Sequence, residues 1–229
     1  MHSRIQVVIL AAGRGIRLRP LTDFKPKTLL MVAGRPILEH TLDLISPIAH
    51  EIVLVIGYHG EKIWRHIGDE YHDIPVRYIE QRELGGTAHA LEQARHTLDK
   101  RFLVMMGDDL YARQDIEQIV EHPWAILAKE VSEPKKFGVV RCDRSGYLKD
   151  IVENPENPTT KLANCGAYVM GEEYFQHEPV RIPNGEIGLP QTLVKVAQSG
   201  TQIKVVKASF WHPIGYPQDL ERAEKLLAK

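Results

Sequence analysis

A chain of 229 residues, 43% of them hydrophobic, can bury a substantial core and needs no covalent staples. Its 29 Lys and Arg against 30 Asp and Glu leave a formal net charge of -1, so the whole-chain charge points to no nucleic-acid partner. Cys142 and Cys165 lack CxxC spacing, which excludes a zinc ribbon and argues against a disulfide framework, and no apolar run is long enough for a membrane span, so no membrane partner is expected.

The first apolar run, Ile5–Leu10, begins almost at the N-terminus without a charged leader or cleavage site, and the expected location is cytoplasmic. That run is a strand candidate. Pro36–Ile45 after Gly34 is predicted as a helix, with Pro36 suited to its first turn. Glu51–Ile56 is a second near-continuous apolar strand, followed by Gly57 and an amphipathic stretch through Ile67. Val76–Ile79 reads as a short strand, and Thr87–Leu98 as a helix from the helical spacing of Ala88, Leu91, Ala94, Arg95 and Leu98. Phe102–Met106 is a buried strand ending in Gly107-Asp108-Asp109. This β-α repetition with non-alternating apolar strands implies a mostly parallel sheet covered on both faces.

From residue 123 the rhythm changes. Short β-like runs at Ala125–Lys129, Gly138–Cys142, Leu148–Val152 and Ala163–Val169 are separated by polar segments and the proline-rich turn Asn154–Pro158. A strand at Ile203–Ala208 is expected between helices at Leu189–Gln198 and Pro217–Ala228.

The segment after the first strand holds the chemistry. Gly13-Arg14-Gly15 is accompanied by Arg17, Arg19, Lys25 and Lys27, so backbone N–H groups and positive charge gather where a strand ends. The ligand that needs both is a polyphosphate. Leu18 stands where a dinucleotide fingerprint has its third glycine, and the contiguous Gly-Lys-Ser/Thr of a P-loop is missing. Hydride transfer and P-loop hydrolysis both lose ground.

The pattern Leu10-Ala11-Ala12-Gly13, Gly15, Arg17, Pro20, Thr22, Pro26-Lys27 and Gly34-x-Pro36 strongly resembles the sugar-1-phosphate nucleotidyltransferase superfamily. Further matches at Gln81, Gly86-Thr87, Gly107-Asp108, Gly138, Glu153, Asn164 and Gly166 spread the resemblance over most of the chain. It implies transfer of a nucleotidyl group from a nucleoside triphosphate to a sugar 1-phosphate, with release of pyrophosphate. The expected fold is α/β, Rossmann-like, with a mostly parallel or mixed sheet, helices on both faces and a small substrate-facing β layer. A single domain over 1–229 is expected, with residues 1–122 as the nucleotide-binding half and 123–229 as the sugar-binding half. A homo-oligomer is compatible with the resemblance.

By the same resemblance Arg17 serves the triphosphate, Lys27 the α-phosphate and Asp108 a Mg²⁺ ion, the three being the expected catalytic residues. Leu10, Ala12, Gly13, Gly15, Gln81, Gly86 and Thr87 are the expected nucleotide-binding residues. The segment Gln81–Ala90 resembles the base-recognition stretch of uridylyl- and thymidylyltransferases, which favours UTP or dTTP, and a glutamine amide can match an acceptor and a donor on a pyrimidine edge. His89 lies inside the predicted helix and is expected to be packed or exposed rather than catalytic. Gly138, Glu153, Asn164 and Gly166 are the expected sugar-binding residues, for a hexose 1-phosphate such as glucose 1-phosphate or a derivative.

Two departures stand out. Many relatives have lysine at Asn154, where it holds the sugar phosphate, and an acidic second metal ligand at Pro213. Arg181, Lys161 or Lys195 are candidates for the first role and Asp219 for the second, while His212 is a poorer Mg²⁺ ligand than an oxygen donor. Asp109 is expected to cap the following helix. The competing expectations are a nucleotidyltransferase using another base or sugar phosphate, and a nucleotide-sugar-binding regulatory protein with weak catalysis or none.

Overall fold

The computed structural model describes residues 4–228. The chain begins with β1 (Ile5–Ala11), β2 (Met31–Val32), β3 (Arg35–Pro36), α1 (Ile37–Ile45), β4 (Ala49–Ile56), α2 (Gly60–Ile67), β5 (Glu70–Tyr71) and β6 (Ile74–Glu80). It continues with α3 (Thr87–Ala94), β7 (Arg101–Met106), β8 (Asp109–Tyr111), α4 (Arg113–Ile119), β9 (Ala125–Glu130), β10 (Gly138–Cys142) and β11 (Leu148–Glu153). Last come β12 (Leu162–Gly171), α5 (Leu189–Gln198), β13 (Lys204–Lys207), β14 (Trp211–Pro213) and α6 (Pro217–Leu227).

Every residue of β1 is buried, because the strand lies parallel between β4 and β7 and both of its faces are covered. Val7 and Ile9 enter one core with Leu38, Leu42 and Ile116, while Val8 and Leu10 enter the other with Leu91, Leu193 and Val196. Helices α1 and α4 therefore cover one face, and α3 and α5 the other. Gln6 is the polar exception in β1. Its amide donates to Glu51 Oε2 at 2.6 Å and the Thr97 carbonyl at 2.9 Å and accepts from the Asp99 N–H at 2.8 Å, so its burial leaves no atom unpaired.

The parallel strands run in the order β7-β1-β4-β6 within a ten-stranded sheet. From β1 the chain winds to β4 on one side and returns to β7 on the other. The strand order thus reverses at β1, and a crevice opens beyond the carboxyl ends of β1 and β7, the usual ligand position in such sheets. The later strands extend the same sheet. Strand β12 pairs antiparallel with β7, β10 and β9, β13 runs parallel to β9, and β10 pairs with β11. A small ribbon, β8 against β14, stands beside it.

Several boundaries differ from the sequence pattern. The predicted helix over Pro36–Ile45 starts at Ile37, because Pro36 is extended and pairs with Met31 in the β2–β3 hairpin. Ala33 and Gly34, both with positive φ, form the two-residue turn of that hairpin, which explains the glycine before Arg35. The predicted helix Thr87–Leu98 is α-helical only to Ala94, where the Thr97 hydroxyl takes the Ala94 carbonyl and Leu98 turns extended. Strand Val76–Ile79 widens to Ile74–Glu80, Ile203–Ala208 narrows to Lys204–Lys207, and Leu148–Val152 gains Glu153. Among the described residues no helix is long and apolar enough to cross a membrane.

Candidate active site

The glycine loop leaves β1 at the strand-order reversal. Gly15 has φ +61, a left-handed conformation that suits glycine. Its carbonyl accepts from the Thr22 hydroxyl at 2.9 Å and from the Leu18 N–H at 2.9 Å. A Cβ there would lie 3.0 Å from Thr22 Cγ2 and 3.1 Å from Lys27 Cβ, so the spaced signature residues Gly15, Thr22 and Lys27 form one packed unit. A third core cluster of Leu18, Leu30, Val32, Ile37, Leu110, Ile214 and Ala223 anchors this loop to β8, to the residue after β14 and to α6.

Above the loop opens a cleft of about 260 Å³, lined among others by Leu10, Gly13, Gly15, Arg17, Lys27 and Asp108. The Lys27 ammonium forms a salt bridge with Asp108 Oδ2, joining residues 81 apart in sequence. Asp108 reaches this point because the Gly107 N–H donates to the Leu10 carbonyl at 3.0 Å, and a Cβ on Gly107 would lie 2.9 Å from Ile9 Cγ2. Arg17 stacks over the Tyr216 ring, 5.1 Å from its centroid. The Thr28 side chain also lines the cleft, and its buried hydroxyl oxygen has no hydrogen-bond partner.

Asp109 does not cap a helix. It begins β8, is buried, and accepts from Trp211 Nε1 at 2.9 Å, while Ala112 occupies the N-cap of α4. Burial pushes its carboxyl up to about 7, the Asp108 charge adds to the rise, and Lys27, Trp211 and the Ile214 N–H oppose it. Pro213, which carries no carboxylate, is the register partner of Asp109 across the β8–β14 ribbon.

Asp219 is committed elsewhere. Its Oδ2 accepts from the N–H groups of Gly215 at 3.0 Å and Tyr216 at 2.8 Å, which caps α6, and His212 Nε2 lies 2.8 Å from the Asp219 carbonyl. Asp108 is left as the carboxylate on the cleft wall. Hard cations such as Mg²⁺ take one or two protein carboxylates and complete their shell with substrate phosphates and water, so the donor set fits a metal brought in with a triphosphate.

Gln81 follows β6, beside the same loop. Its N–H donates to the Ile56 carbonyl at 2.8 Å, and a Cβ on Gly57 would meet the carbonyls of Ala12 at 2.9 Å and Gln81 at 3.1 Å. Gly57 thereby holds the expected nucleotide residues Ala12 and Gln81 together. Gly86 has φ +99 and presses on Ile187, whose carbonyl would lie 2.5 Å from an added Cβ. The Thr87 hydroxyl accepts from the Leu189 N–H at 3.0 Å, locking the base-segment candidate to the start of α5.

On the other wall, Gly138 and Glu153 are register partners of β10 and β11, and a Cβ on Gly138 would lie 2.7 Å from Glu153 Oε1. Gln191 Nε2 donates to that oxygen at 3.1 Å, a contact with no advance signal in the sequence. Desolvation raises the Glu153 pKa, and the Gln191 bond opposes the rise. Asn164 and Gly166 share an irregularity in β12, where the five residues from Asn164 to Tyr168 face the three from Ala128 to Ile126 of β9. The Asn164 amide donates to the Tyr168 hydroxyl at 2.7 Å and accepts from the Gly166 N–H at 3.0 Å. Gly166, at φ +71, abuts Met106, the residue before Gly107-Asp108, and so connects this group to the cleft.

Two of the three candidates for holding the sugar phosphate in place of a lysine at position 154 are engaged elsewhere. Asn154 adopts φ 44 after β11, Lys195 pairs with Glu178 at 3.5 Å, and Arg181 donates to the Gly185 carbonyl at 2.6 Å.

Comparison with known proteins agrees with this architecture. The chain is 35% identical over 235 residues to a UTP–glucose-1-phosphate uridylyltransferase, AglF, of Haloferax volcanii, covering 97% of this chain and 96% of that one. It is 34% identical to the bifunctional protein GlmU of Methanocaldococcus jannaschii over 97% of its own length and 54% of the relative's. A solved Bacillus anthracis structure, described as a glucose-1-phosphate thymidylyltransferase in complex with sucrose, superposes with a TM-score of 0.86 at 25% identity, covering 96% of this chain and 94% of that one. The nucleotidyl transferase family model matches residues 6–229. The chain belongs to the nucleotidyl transferase family.

Proposed function

We propose that this protein transfers a uridylyl or thymidylyl group from UTP or dTTP to a hexose 1-phosphate, glucose 1-phosphate or a derivative, and releases pyrophosphate. The observation that carries the proposal is the meeting of Lys27 and Asp108 over the glycine loop, with Gly166 linking the Glu153–Asn164 wall to the same cleft. The Haloferax relative, named for UTP and glucose 1-phosphate, supports the same substrate pair.

A phosphate oxygen of the sugar 1-phosphate attacks the α-phosphorus of the triphosphate. The bond from that phosphorus to the bridging oxygen of pyrophosphate breaks, so no covalent enzyme intermediate is needed. Catalysis then rests on alignment and charge. Arg17, held over Tyr216, serves the β- and γ-phosphates, and Lys27 serves the α-phosphate, where charge builds during transfer. Asp108 would hold Mg²⁺, whose charge neutralises phosphate oxygens. Lys27 and Asp108 neutralise each other, and a polyanion with its cation offers each a replacement partner.

On the acceptor side, Glu153 Oε2 and the Asn164 amide supply polar atoms for sugar hydroxyls that lose water on entry. The experiment is a panel of UTP, dTTP, CTP, ATP and GTP against common sugar 1-phosphates, monitored by pyrophosphate release with and without Mg²⁺. Turnover of UTP or dTTP with a hexose 1-phosphate is the expected result. Binding without turnover across the panel would refute it and favour a regulatory nucleotide-sugar binder.

A further inference from the structure

Gln81 is buried, and both side-chain hydrogen bonds shown for it are made by its amide nitrogen: one to the Gly86 carbonyl at 3.2 Å and one to His89 Nδ1 at 3.0 Å. The Gly86 carbonyl can only accept, which fixes the NH₂ group on this side of the amide. His89 Nδ1 must then accept as well. A neutral imidazole accepts at one nitrogen and donates at the other, so the ring proton sits on His89 Nε2. The Gln93 amide nitrogen lies 3.2 Å from that nitrogen and donates to the His89 carbonyl at 3.4 Å; turning this exposed amide over sets its oxygen against the ring proton and gives up only the longer contact.

The ring is held where it stands. A Cβ on Gly85 would lie 2.7 Å from His89 Cγ and 3.0 Å from Nδ1, so glycine at 85 makes room for the imidazole. Both amide hydrogens of Gln81 are thus taken, by His89 Nδ1 and the Gly86 carbonyl, and its carbonyl Oε1 carries neither of these bonds.

We propose that His89 is a positioning residue for base selection: by accepting from Gln81 it fixes the amide so that Oε1 meets a ring N–H. Uracil and thymine carry that hydrogen on N3. Cytosine has an unprotonated N3 that accepts, so it would place acceptor against acceptor. This inference rests on the nucleotidyl-transfer reading and on Gln81 facing the base, and it deepens that reading by naming what sets the choice between pyrimidines.

The test measures kcat/KM of the full chain for UTP and CTP with glucose 1-phosphate, or for dTTP and dCTP if thymidylyl is the transferred group. In H89K the ammonium can only donate, which reverses the Gln81 amide. The UTP/CTP ratio is expected to fall roughly tenfold or more, as for a buried polar pair turned against itself, with KM for the sugar phosphate unchanged. H89Q can accept from Gln81 through its own carbonyl and is expected to keep the ratio within about threefold of wild type. Should H89K fail to fold, H89M, which lacks the strong acceptor, is expected to lower the ratio by about threefold or more.

A folded H89K or H89M with the wild-type ratio would overturn the inference, as would an H89Q ratio that falls as far as in H89K. A wild-type enzyme that prefers CTP overturns it too. In each of these cases transfer itself still stands, whereas a wild-type chain that turns over no triphosphate refutes the underlying reading and this inference together.

Discussion

The ammonium of Lys27 rests against the carboxylate of Asp108, one at the end of the glycine loop and the other just beyond β7. Two charges far apart in sequence are brought together by parallel neighbours β1 and β7, and the cleft forms where those strands end. Removing the cation while keeping the volume tests what Lys27 does. K27M is expected to lower kcat about 10²–10³-fold, the cost of losing one preorganised group at a developing oxyanion, while circular dichroism and the melting temperature stay close to wild type. Equal kcat in K27M would remove Lys27 from the chemistry.

The proposed metal role of Asp108, the carboxylate among the described residues lining the cleft, has a direct test. Chelation of divalent ions is expected to abolish pyrophosphate release, and added Mg²⁺ to restore it. In D108A the Mg²⁺ concentration for half-maximal rate should rise and the maximal rate fall. Because Pro213 faces Asp109 across the ribbon, P213D is expected to move the half-maximal Mg²⁺ concentration downward. An unchanged Mg²⁺ titration in D108A would show that the ion binds without this carboxylate.

Two glycines should separate acceptor binding from stability. G138A places a methyl 2.7 Å from Glu153 Oε1, and the displaced carboxylate is expected to raise KM for the sugar phosphate while KM for the triphosphate holds. G166A meets Met106 Cγ at 2.6 Å and adopts φ +71, so it is expected to destabilise the fold by about 1–3 kcal/mol in urea unfolding. A wild-type unfolding midpoint in G166A would mean that the β12 irregularity relaxes without strain.

The acid side of the stability profile has a specific source in Asp43. Its partial burial would raise the carboxyl, but hydrogen bonds from Arg35 at 2.7 Å and Tyr71 at 2.6 Å outweigh that and hold it below its ordinary value. A carboxyl depressed in the folded state adds stability above its unfolded pKa, near 3.8, and that contribution disappears as pH falls through the folded value. D43N is therefore expected to cost roughly 1 kcal/mol at neutral pH, allowing for solvent screening, and to show a flatter loss of stability below pH about 4. Parallel wild-type and D43N profiles through that range would remove Asp43 as the source.

Much of the architecture was legible because the parallel strands carry their own signal. Buried on both faces, β1, β4 and β7 need apolar side chains at nearly every position, so their runs stand out without neighbours in view. Helix ends were less legible. Pro36 was expected inside a helix, but the hairpin pairing with Met31 claims it, and that pairing depends on a turn at Ala33-Gly34. Strands β8 and β14 are only three residues each and are stabilised by one another, so neither has a periodicity to read.

The sequence by itself determined that a glycine turn and a cluster of cations follow an apolar strand, and its spaced signature named the chemical family. Those are local facts, set by which backbone conformations glycine allows and by where charge is carried. Only the tertiary structure decided which charges meet. It placed Lys27 on Asp108, took Asp109 and Asp219 away to Trp211 and the α6 cap, and set His89, expected only to be packed or exposed, within hydrogen-bond reach of Gln81. Hydrogen bonds and ion pairs act over a few ångströms between groups that lie tens of residues apart, so strand order and register settle them, and no linear spacing can.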